Sequence, residues 1–450
     1  MSAERNSIQR LFMLSALIML LAGLLFGLLS AMEYVFPAWL RPVAGFEKLR
    51  PMHVSAVLFW ILLGATACVY GGLEKLLPAS VSQRVMRWQW ALWLLAIAGV
   101  LYSYAGGRFG GREYWEFDPV WALPIGLSWL LFLFNFFKAV RKLRIWPVYI
   151  WMWMTGIVFF IFTFIENYLW VFPFFRERMI TDMTIQWKAN GSLVGAWNQL
   201  LYGTAFFLME RIGNGPKTGR SRMAFAMYFL GLFNLMFNWG HHIYTLPTAP
   251  YIRHIAYAVS MTEWIFFIRI LYQWRKQAGE AKRLYHYYPY RFLMAADFWV
   301  FVNMGQAILM SVPALNLYTH GTHVTVAHAM GTTIGINSMI LLAAAFEFLP
   351  EGRRFGKGSR LLNPAFWSAQ ISLFFFWLTL NAAGLYKGFW QMKTTRGSYA
   401  ALMSDMSPFF IVLLISGFFL MCSLAAIAIV LLRTWFSNFR VNADAGSTDK

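Results

Sequence analysis

The chain has 450 residues, of which 59% are hydrophobic, 19% are aromatic and only 13% are charged, and its mean hydropathy is +0.52. This composition excludes a soluble domain, because too few polar residues remain to cover its surface. The formal net charge is +19, but the basic residues lie in the short connections between apolar runs, which excludes a nucleic-acid-binding surface as its explanation.

Apolar runs of about 20 residues, long enough to cross a hydrocarbon core of roughly 30 Å, recur along the chain. The sequence therefore predicts an all-α integral membrane protein with twelve transmembrane helices. The predicted spans cover residues 10–36, 52–73, 87–106, 119–138, 146–170, 184–210, 223–246, 254–274, 292–313, 324–348, 365–387 and 408–432. We expect one membrane domain, residues 1–440, and a disordered polar tail, residues 441–450.

Lysine and arginine are concentrated on one side of the predicted spans. Lys138 and Arg141 lie in one such loop, and Arg353 and Arg354 lie in another. This bias is typical of cytoplasmic loops. It places both chain termini in the cytoplasm.

The second predicted span begins with His53, in the segment RPMHVSAVLFW. An imidazole inside a span is costly unless it pairs or binds something, so we interpret His53 as an axial ligand of a haem between spans 2 and 10. Cys68 and Cys422 both lie in apolar spans, and the chain has no C-x-x-C-H motif. Side chains alone would therefore hold a haem here.

The seventh predicted span ends in FNWGHHIYTLPTAP, which contains His241 and His242. Adjacent helical residues are separated by about 100°, so both imidazoles can face one cavity. Two imidazoles at one point are a suitable start for a metal site.

The tenth predicted span begins HVTVAHAM, residues 323–330. His328 and Met330 are two positions apart, about 200° around a helix, and would face opposite flanks. His328 would hold one haem facing His241 and His242, and Met330 would complete the ligation of the haem at His53. A thioether ligand raises the potential of a haem. The alternative for Met330 is an ordinary packed methionine.

The remaining histidines have simpler interpretations. His254, His320 and His323 are interpreted as interfacial residues that loop carbonyl groups satisfy, and His286 is the histidine predicted at the inner side. No metal or haem is assigned to them.

Four segments resemble the catalytic subunit of cytochrome c-dependent nitric oxide reductases, within the haem–copper oxidase superfamily. These segments are RPMHVSAVLFWILLGA, GGREYWEFDP, WGHHIYTLPTAPYIRHIAYAVSMTEW and NLYTHGTHVTVAHAM. The resemblance covers nearly the whole chain. It implies a subunit I-like bundle with a low-spin haem b at His53, a high-spin haem b at His328, and a non-haem iron or copper at His241 and His242.

The resemblance assigns further roles to acidic and basic residues. Glu263 matches a carboxylate near the active site and would move protons. One of Glu113 and Glu116 matches the acid that helps to hold a calcium ion between haem propionates, and Arg112 is assigned to cofactor binding.

The chain departs from the family pattern at the metal site. Met330 stands where the family has a second histidine, and Gly195 where an iron-binding glutamate belongs. Gly191 stands where a third metal-binding histidine belongs, or Asn190 if the alignment is shifted by one residue. Non-haem iron usually takes a carboxylate among about three protein ligands, whereas copper could use two histidines with a weak amide or water. The amide candidates are Asn190, Asn198 and Asn238.

The sequence favours a divergent nitric oxide reductase-type oxidoreductase that reduces NO to N2O or converts NO in a related way. No haem c motif or copper-binding cysteine pair is present, so we expect an outer-face cytochrome c or cupredoxin-like donor subunit that docks on residues 105–118. The expected location is the bacterial cytoplasmic (inner) membrane, with the haem sites toward the periplasm. Two alternatives are a C-type terminal oxidase-like subunit that reduces O2 and a non-catalytic haem gas sensor or electron relay.

Overall fold

The computed structural model describes the backbone of residues 7–37, 39–213, 218–260, 272, 274 and 279–447, and the side chains over nearly the same ranges as far as residue 437. Within these ranges the chain is helical, and its one β-bridge joins Arg112 to Trp115. The prediction of an all-α protein is therefore confirmed. The predicted boundary at residue 440, between a membrane domain and a disordered tail, stays a prediction. The last described helix continues to Ser447, and its side chains are described only as far as residue 437.

The long helices are numbered here in chain order. They are α1 (Ser7–Val35), α2 (Phe46–Leu76), α3 (Gln83–Ala105), α4 (Ala122–Val140), α5 (Val148–Asn167), α6 (Met179–Ile212), α7 (Arg222–Phe237), α8 (Pro250–Ser260), α9 (Tyr287–Ser311), α10 (His323–Glu347), α11 (Leu362–Met392) and α12 (Ser407–Ser447). Short helices lie between them at Arg41–Ala44, Pro173–Arg176, Glu280–Tyr285, Pro313–Thr319 and Tyr399–Asp405.

Ten helical segments of the described chain are long and apolar enough to cross a membrane. Of the two other predicted spans, residues 184–210 are helical in α6, but polar residues such as Lys188 and Asn190 interrupt its apolar character. The span predicted at residues 254–274 begins on α8 and lies mostly outside the described residues. A multi-pass helical membrane protein is thus confirmed, whereas the count of twelve and the side of each terminus stay predictions.

The centre of the bundle is formed by α2 and α10, the two most deeply buried spans. Helix α2 packs on α1, α5 on α6, and α11 on α12. Gly64 of α2 faces Leu341 of α10, where an added Cβ would lie 3.0 Å from the leucine side chain. Small residues at helix contacts allow the close packing that stabilises membrane bundles, so glycine is favoured here.

Helix α10 changes its winding directly after Met330. Residues Gly331–Ser338 form a π-helix between the α-helical segments His323–Met330 and Met339–Glu347. The π-helix passes close to α9, because a Cβ on Gly335 would lie 2.5 Å from Cγ of Trp299. Such wide turns occur often at functional sites. This one directly follows the helical turn that carries His328 and Met330, so it sets the orientation of that turn relative to the rest of α10.

The opposite end of α10 is held by a buried ionic cluster. The Glu347 carboxylate lies 2.6 Å from Nδ1 of His286, 3.1 Å from Nε of Arg211 and 3.4 Å from Arg354, and its side chain is 0% exposed. Nineteen residues separate Glu347 from His328, so the two lie near opposite ends of α10. His286 thus lies at the opposite end of α10 from His328.

Candidate haem and metal site

One end of the bundle collects the predicted ligands, and we call it the histidine end. It is defined by His53 in the second turn of α2, His241 and His242 after α7, and His328 in the second turn of α10. Imidazoles are rare in membrane-spanning segments and usually functional there. Their collection at one end of the bundle is therefore a candidate functional site.

The two adjacent histidines lie in a 3₁₀-helix, Asn238–Ile243, that continues directly from α7. The ring centroids of His241 and His242 are 4.2 Å apart, with an angle of 35° between the ring planes. His242 lies within electrostatic range of His328 and His320. The structure thus brings together the three histidines that the sequence predicted to face one another, although their binding of a metal stays a prediction.

His328 is half-buried and faces α9. Its ring lies beside the backbone of Asn303, yet its Nδ1 is excluded from solvent and has no partner with hydrogen-bond geometry. A buried polar atom without a partner is costly, and ligation of a group by the ring would offset that cost. The surroundings of His328 therefore fit a haem ligand.

The ring of His53 packs against α1 on the other side of α2. Its Nδ1 lies 2.7 Å from the carbonyl oxygen of Gly23, and a Cβ on Gly27 would lie 2.6 Å from the same nitrogen. Since a carbonyl can only accept, Nδ1 carries the proton and Nε2 keeps a free lone pair. A second hydrogen bond of this kind commonly orients a metal-bound histidine, so His53 also fits a haem ligand.

Met330 faces a different side from His328, as the helical spacing predicts. Its side chain packs against an apolar cluster built mainly from α11 and α12, with members Ala327, Leu380, Ala383, Leu402, Met406, Phe410 and Leu413. These contacts also suit an ordinary packed methionine, so ligation of the His53 haem by Met330 stays a prediction.

The two glycines of α6 at which the resemblance places family ligands, Gly191 and Gly195, have different surroundings. A Cβ on Gly191 would lie 2.7 Å from Cδ2 and 2.8 Å from Nε2 of His242, whereas a Cβ on Gly195 would lie 2.5 Å from Leu235. The position of the missing histidine therefore does face the histidine pair, and the imidazole of His242 takes the space of a side chain there. Apolar packing fills the position of the missing glutamate.

Among the described residues, no group of three or more histidine, cysteine or acidic side chains is arranged to hold a metal. Asn190, Asn198 and Gln199 each have a buried side-chain oxygen without a hydrogen-bond partner, but amide oxygens are weak ligands for iron or copper. Glu263 lies outside the described residues, as does the side chain of Asn238. The described donor set by itself therefore does not fit a three-ligand non-haem metal centre.

The loop between α3 and α4 covers the start of α2. Arg50 of α2 forms ion pairs with Glu113 at 3.5 Å and with Glu116. Arg112 instead binds both carboxylate oxygens of Asp182 at 3.0 Å and stacks 4.6 Å from the ring centroid of Trp170. The predicted cofactor role of Arg112 and the predicted calcium role of the two glutamates remain predictions.

Sequence reasoning gave His320 an interfacial role only, but the structure places it near the site. Its ring lies 4.8 Å from that of Trp187 on α6, and it interacts with His242. Burial lowers the pKa of His320, which favours the neutral ring. The sequence offered no signal for this contact, since α6 and the loop before α10 meet only in the fold.

A family model described as Cytochrome C and Quinol oxidase polypeptide I matches residues 7–419. A nitric oxide reductase subunit of Stutzerimonas stutzeri is 23% identical over 94% of this chain and 93% of its own length. The Cbb3-type cytochrome c oxidase subunit CcoN1 of the same organism is 20% identical over 92% of each chain. A chain from a cryo-EM structure of a heme-copper terminal oxidase dimer has a TM-score of 0.77 at 13% identity, covering 95% of this chain and 84% of that chain. The fold is the one seen in that oxidase.

Proposed function

The chain belongs to the Cytochrome C and Quinol oxidase polypeptide I family, and from that premise we propose that it is a divergent nitric oxide reductase-type oxidoreductase. It would reduce NO to N2O, or convert NO in a related way, in the bacterial cytoplasmic membrane. The similarity to the nitric oxide reductase chain of Stutzerimonas stutzeri over nearly the full length of both chains supports this reaction class.

One observation carries the proposal: His328, His242 and His241 converge at the histidine end. His242 lies within electrostatic range of His328, and the ring of His241 lies 4.2 Å from that of His242. A small gas bound beside His328 would therefore meet two further imidazoles. This arrangement suits reduction of a gas better than simple electron transfer, which needs no such pair.

Two haem b groups, when bound, would supply redox-active iron for electron transfer and for gas binding. The residues of the chain have separate tasks. His53 presents Nε2, because Gly23 holds its Nδ1, and Met330 would complete that ligation. His241 and His242 would donate hydrogen bonds to the bound gas or hold a second metal, and Glu263 would move protons.

Electrons would enter from an outer-face cytochrome c or cupredoxin-like subunit. Residues 105–118 would form the docking surface, because this loop packs directly on the turn of α2 that precedes His53. A partner bound there would lie close to the haem held by His53. Charge reversal of Arg108, which precedes the ion pairs of the loop, should slow electron entry from the partner if this surface is used.

The test uses the full-length protein in detergent, with its haems, and an artificial reductant. NO and O2 consumption are followed with electrodes, and N2O is measured by gas chromatography. We expect NO consumption with N2O formation, lost in His328→Ala and strongly reduced in His242→Ala. The control is His254→Ala, since His254 is exposed on α8.

Consumption of O2 in place of NO would favour the oxidase-like alternative and would overturn the proposed substrate. Binding of both haems without turnover of either gas would overturn catalysis altogether.

The glycine at position 191 favours a second candidate function, a haem protein that senses a gas or relays electrons. Because the ring of His242 packs directly on this glycine, α6 offers no ligand at that point. A protein of this kind would bind NO or CO beside His328, with a spectral change, but would not turn it over.

A further inference from the structure

Two carboxylates of the loop between α3 and α4 converge on one cation of the chain itself. Arg50, one turn before His53 on α2, reaches Glu113 at 3.5 Å through Nη2 and Glu116 through Nη1. The family resemblance implies a calcium ion held by one of these acids. The structure shows a guanidinium between them.

Three main-chain carbonyl oxygens of the loop already accept hydrogen bonds from the protein itself. The carbonyl oxygen of Glu113 accepts a hydrogen bond from Asn190, that of Trp115 accepts one from Arg112, and that of Glu116 accepts two, from the amides of Gly110 and Gly111. Calcium takes six to eight oxygen ligands, several of them carboxylate or carbonyl. One carboxylate oxygen of Glu116 is buried without a partner, and Glu113 contacts Arg50 only at 3.5 Å. The guanidinium of Arg50 next to both carboxylates disfavours a divalent cation, because like charges repel at this range.

The backbone of the loop forms a tight turn that fixes the positions of Glu113 and Glu116. Arg112 and Trp115 form a β-bridge around a turn in which Tyr114 has a positive φ of 72°. Gly111 is required there, since an added Cβ would collide with the carbonyl oxygen of Trp115. Glu113 within this turn and Glu116 directly after it are thus presented to α2 by backbone geometry.

We infer that Arg50 takes the place of the calcium ion, so that a guanidinium clamp joins the outer loop to the start of α2 without a metal. The clamp acts as a positioning device for His53, which follows Arg50 by three residues and so lies on the same face of the helix. Lys48 adds a second contact, from Nζ to the carbonyl oxygen of Ala105 at 3.3 Å. This inference does not depend on which gas the protein converts.

The first test is calcium content and calcium dependence of the purified, haem-loaded protein. We expect no calcium to be retained at a stoichiometric level by plasma mass spectrometry, and the same unfolding temperature in EGTA and in Ca²⁺. Retention of one calcium ion per chain, or a drop of the unfolding temperature in EGTA, would overturn the inference. This measurement needs no variant, so a folding defect cannot obscure it.

The second test exchanges the clamp for a metal site. Arg50→Met leaves two neighbouring carboxylates without their cation, so its unfolding temperature should fall, and Ca²⁺ should restore most of the loss while Mg²⁺ restores less. Arg50→Lys keeps a cation and should show no response to Ca²⁺.

The absorption of the haem held by His53 provides a readout specific to positioning. It should broaden or shift in Arg50→Met and recover with Ca²⁺, whereas the double variant Arg50→Met/Glu113→Gln should not recover. A spectrum that stays unchanged in Arg50→Met would remove the positioning role of the clamp.

Discussion

The imidazole of His242 rests directly on the backbone of Gly191: a Cβ at position 191 would lie 2.7 Å from Cδ2 and 2.8 Å from Nε2 of the ring. Real Cβ atoms essentially never approach so closely, so any other residue at position 191 must move the ring or the helix. Position 191 is also where the family pattern has a metal-binding histidine. The imidazole of His242 therefore packs against α6 in the space that a side chain at position 191 would need.

Gly191→Ala should consequently damage the site more than the fold. We expect overpacking to cost about 1–3 kcal/mol of stability and to displace His242, with a several-fold loss of NO consumption. The control is Gly126→Ala on α4, where the nearest atom to a Cβ lies at 3.7 Å. Stability measured by thermal unfolding and activity measured by gas electrode would separate the two effects, and equal activity in both variants would contradict the role of Gly191.

His53→Ala should remove one of the two expected haems. The hydrogen bond from Nδ1 to the carbonyl oxygen of Gly23 at 2.7 Å leaves Nε2 as the ligand atom, and alanine offers none. Haem extracted as the pyridine complex should fall by about half per chain, and the low-spin absorption should be lost. His254→Ala, on the exposed side of α8, should retain both haems; an unchanged haem content in His53→Ala would show that another residue is the ligand.

Met330→Leu distinguishes a ligand from a packed side chain. The exchange nearly conserves volume and should cost less than about 1.5 kcal/mol in an apolar cluster. If Met330 binds iron, as we expect, the low-spin signal in electron paramagnetic resonance should convert to a high-spin signal. Met330→His should restore a low-spin haem with a lower reduction potential.

The control for this pair is Met392→Leu at the exposed end of α11, which should leave both spectra unchanged. A low-spin signal that persists in Met330→Leu would identify Met330 as a packing residue.

Glu347→Gln should destabilise the protein strongly without acting on the haems directly. The carboxylate is fully buried and contacts His286, Arg211 and Arg354. Removing one partner of a buried ion pair leaves uncompensated charge and costs roughly 3–5 kcal/mol. Thermal unfolding in detergent should show this loss, whereas Glu280→Gln, an exposed acid in a short helix, should change stability by less than about 0.5 kcal/mol. A loss of similar size in both variants would argue against the cluster as the cause.

Several features of the site were predictable from local sequence. The apolar runs predicted the membrane-spanning helices, because the thickness of a bilayer sets the length of a helix that crosses it. The opposite facing of His328 and Met330 followed from helical spacing alone, and the structure places them on different sides of α10. The convergence of His241 and His242 with His328 followed from their shared depth at one end of the bundle.

Other features depended on contacts that no local pattern encodes. Arg50 meets Glu116 across 66 positions of sequence, and His53 meets Gly23 across 30. Spacing within one helix says which residues share its face, but it does not say which neighbouring helix covers that face. The sequence therefore predicted that Glu113 and Glu116 lie in an acidic loop, but it did not predict that Arg50 forms ion pairs with them.

The sequence by itself determined that this chain crosses a membrane many times, and it predicted haem ligands among the histidines of the spans, because hydrophobic length and the cost of a buried imidazole are properties of single segments. Only the tertiary structure decided what lies against each histidine. Gly23 holds the ring of His53, Gly191 receives that of His242, and Arg50 clamps the loop above α2. These contacts arise where separate helices pack, and the choice of partner depends on close complementarity of surfaces that are distant in sequence.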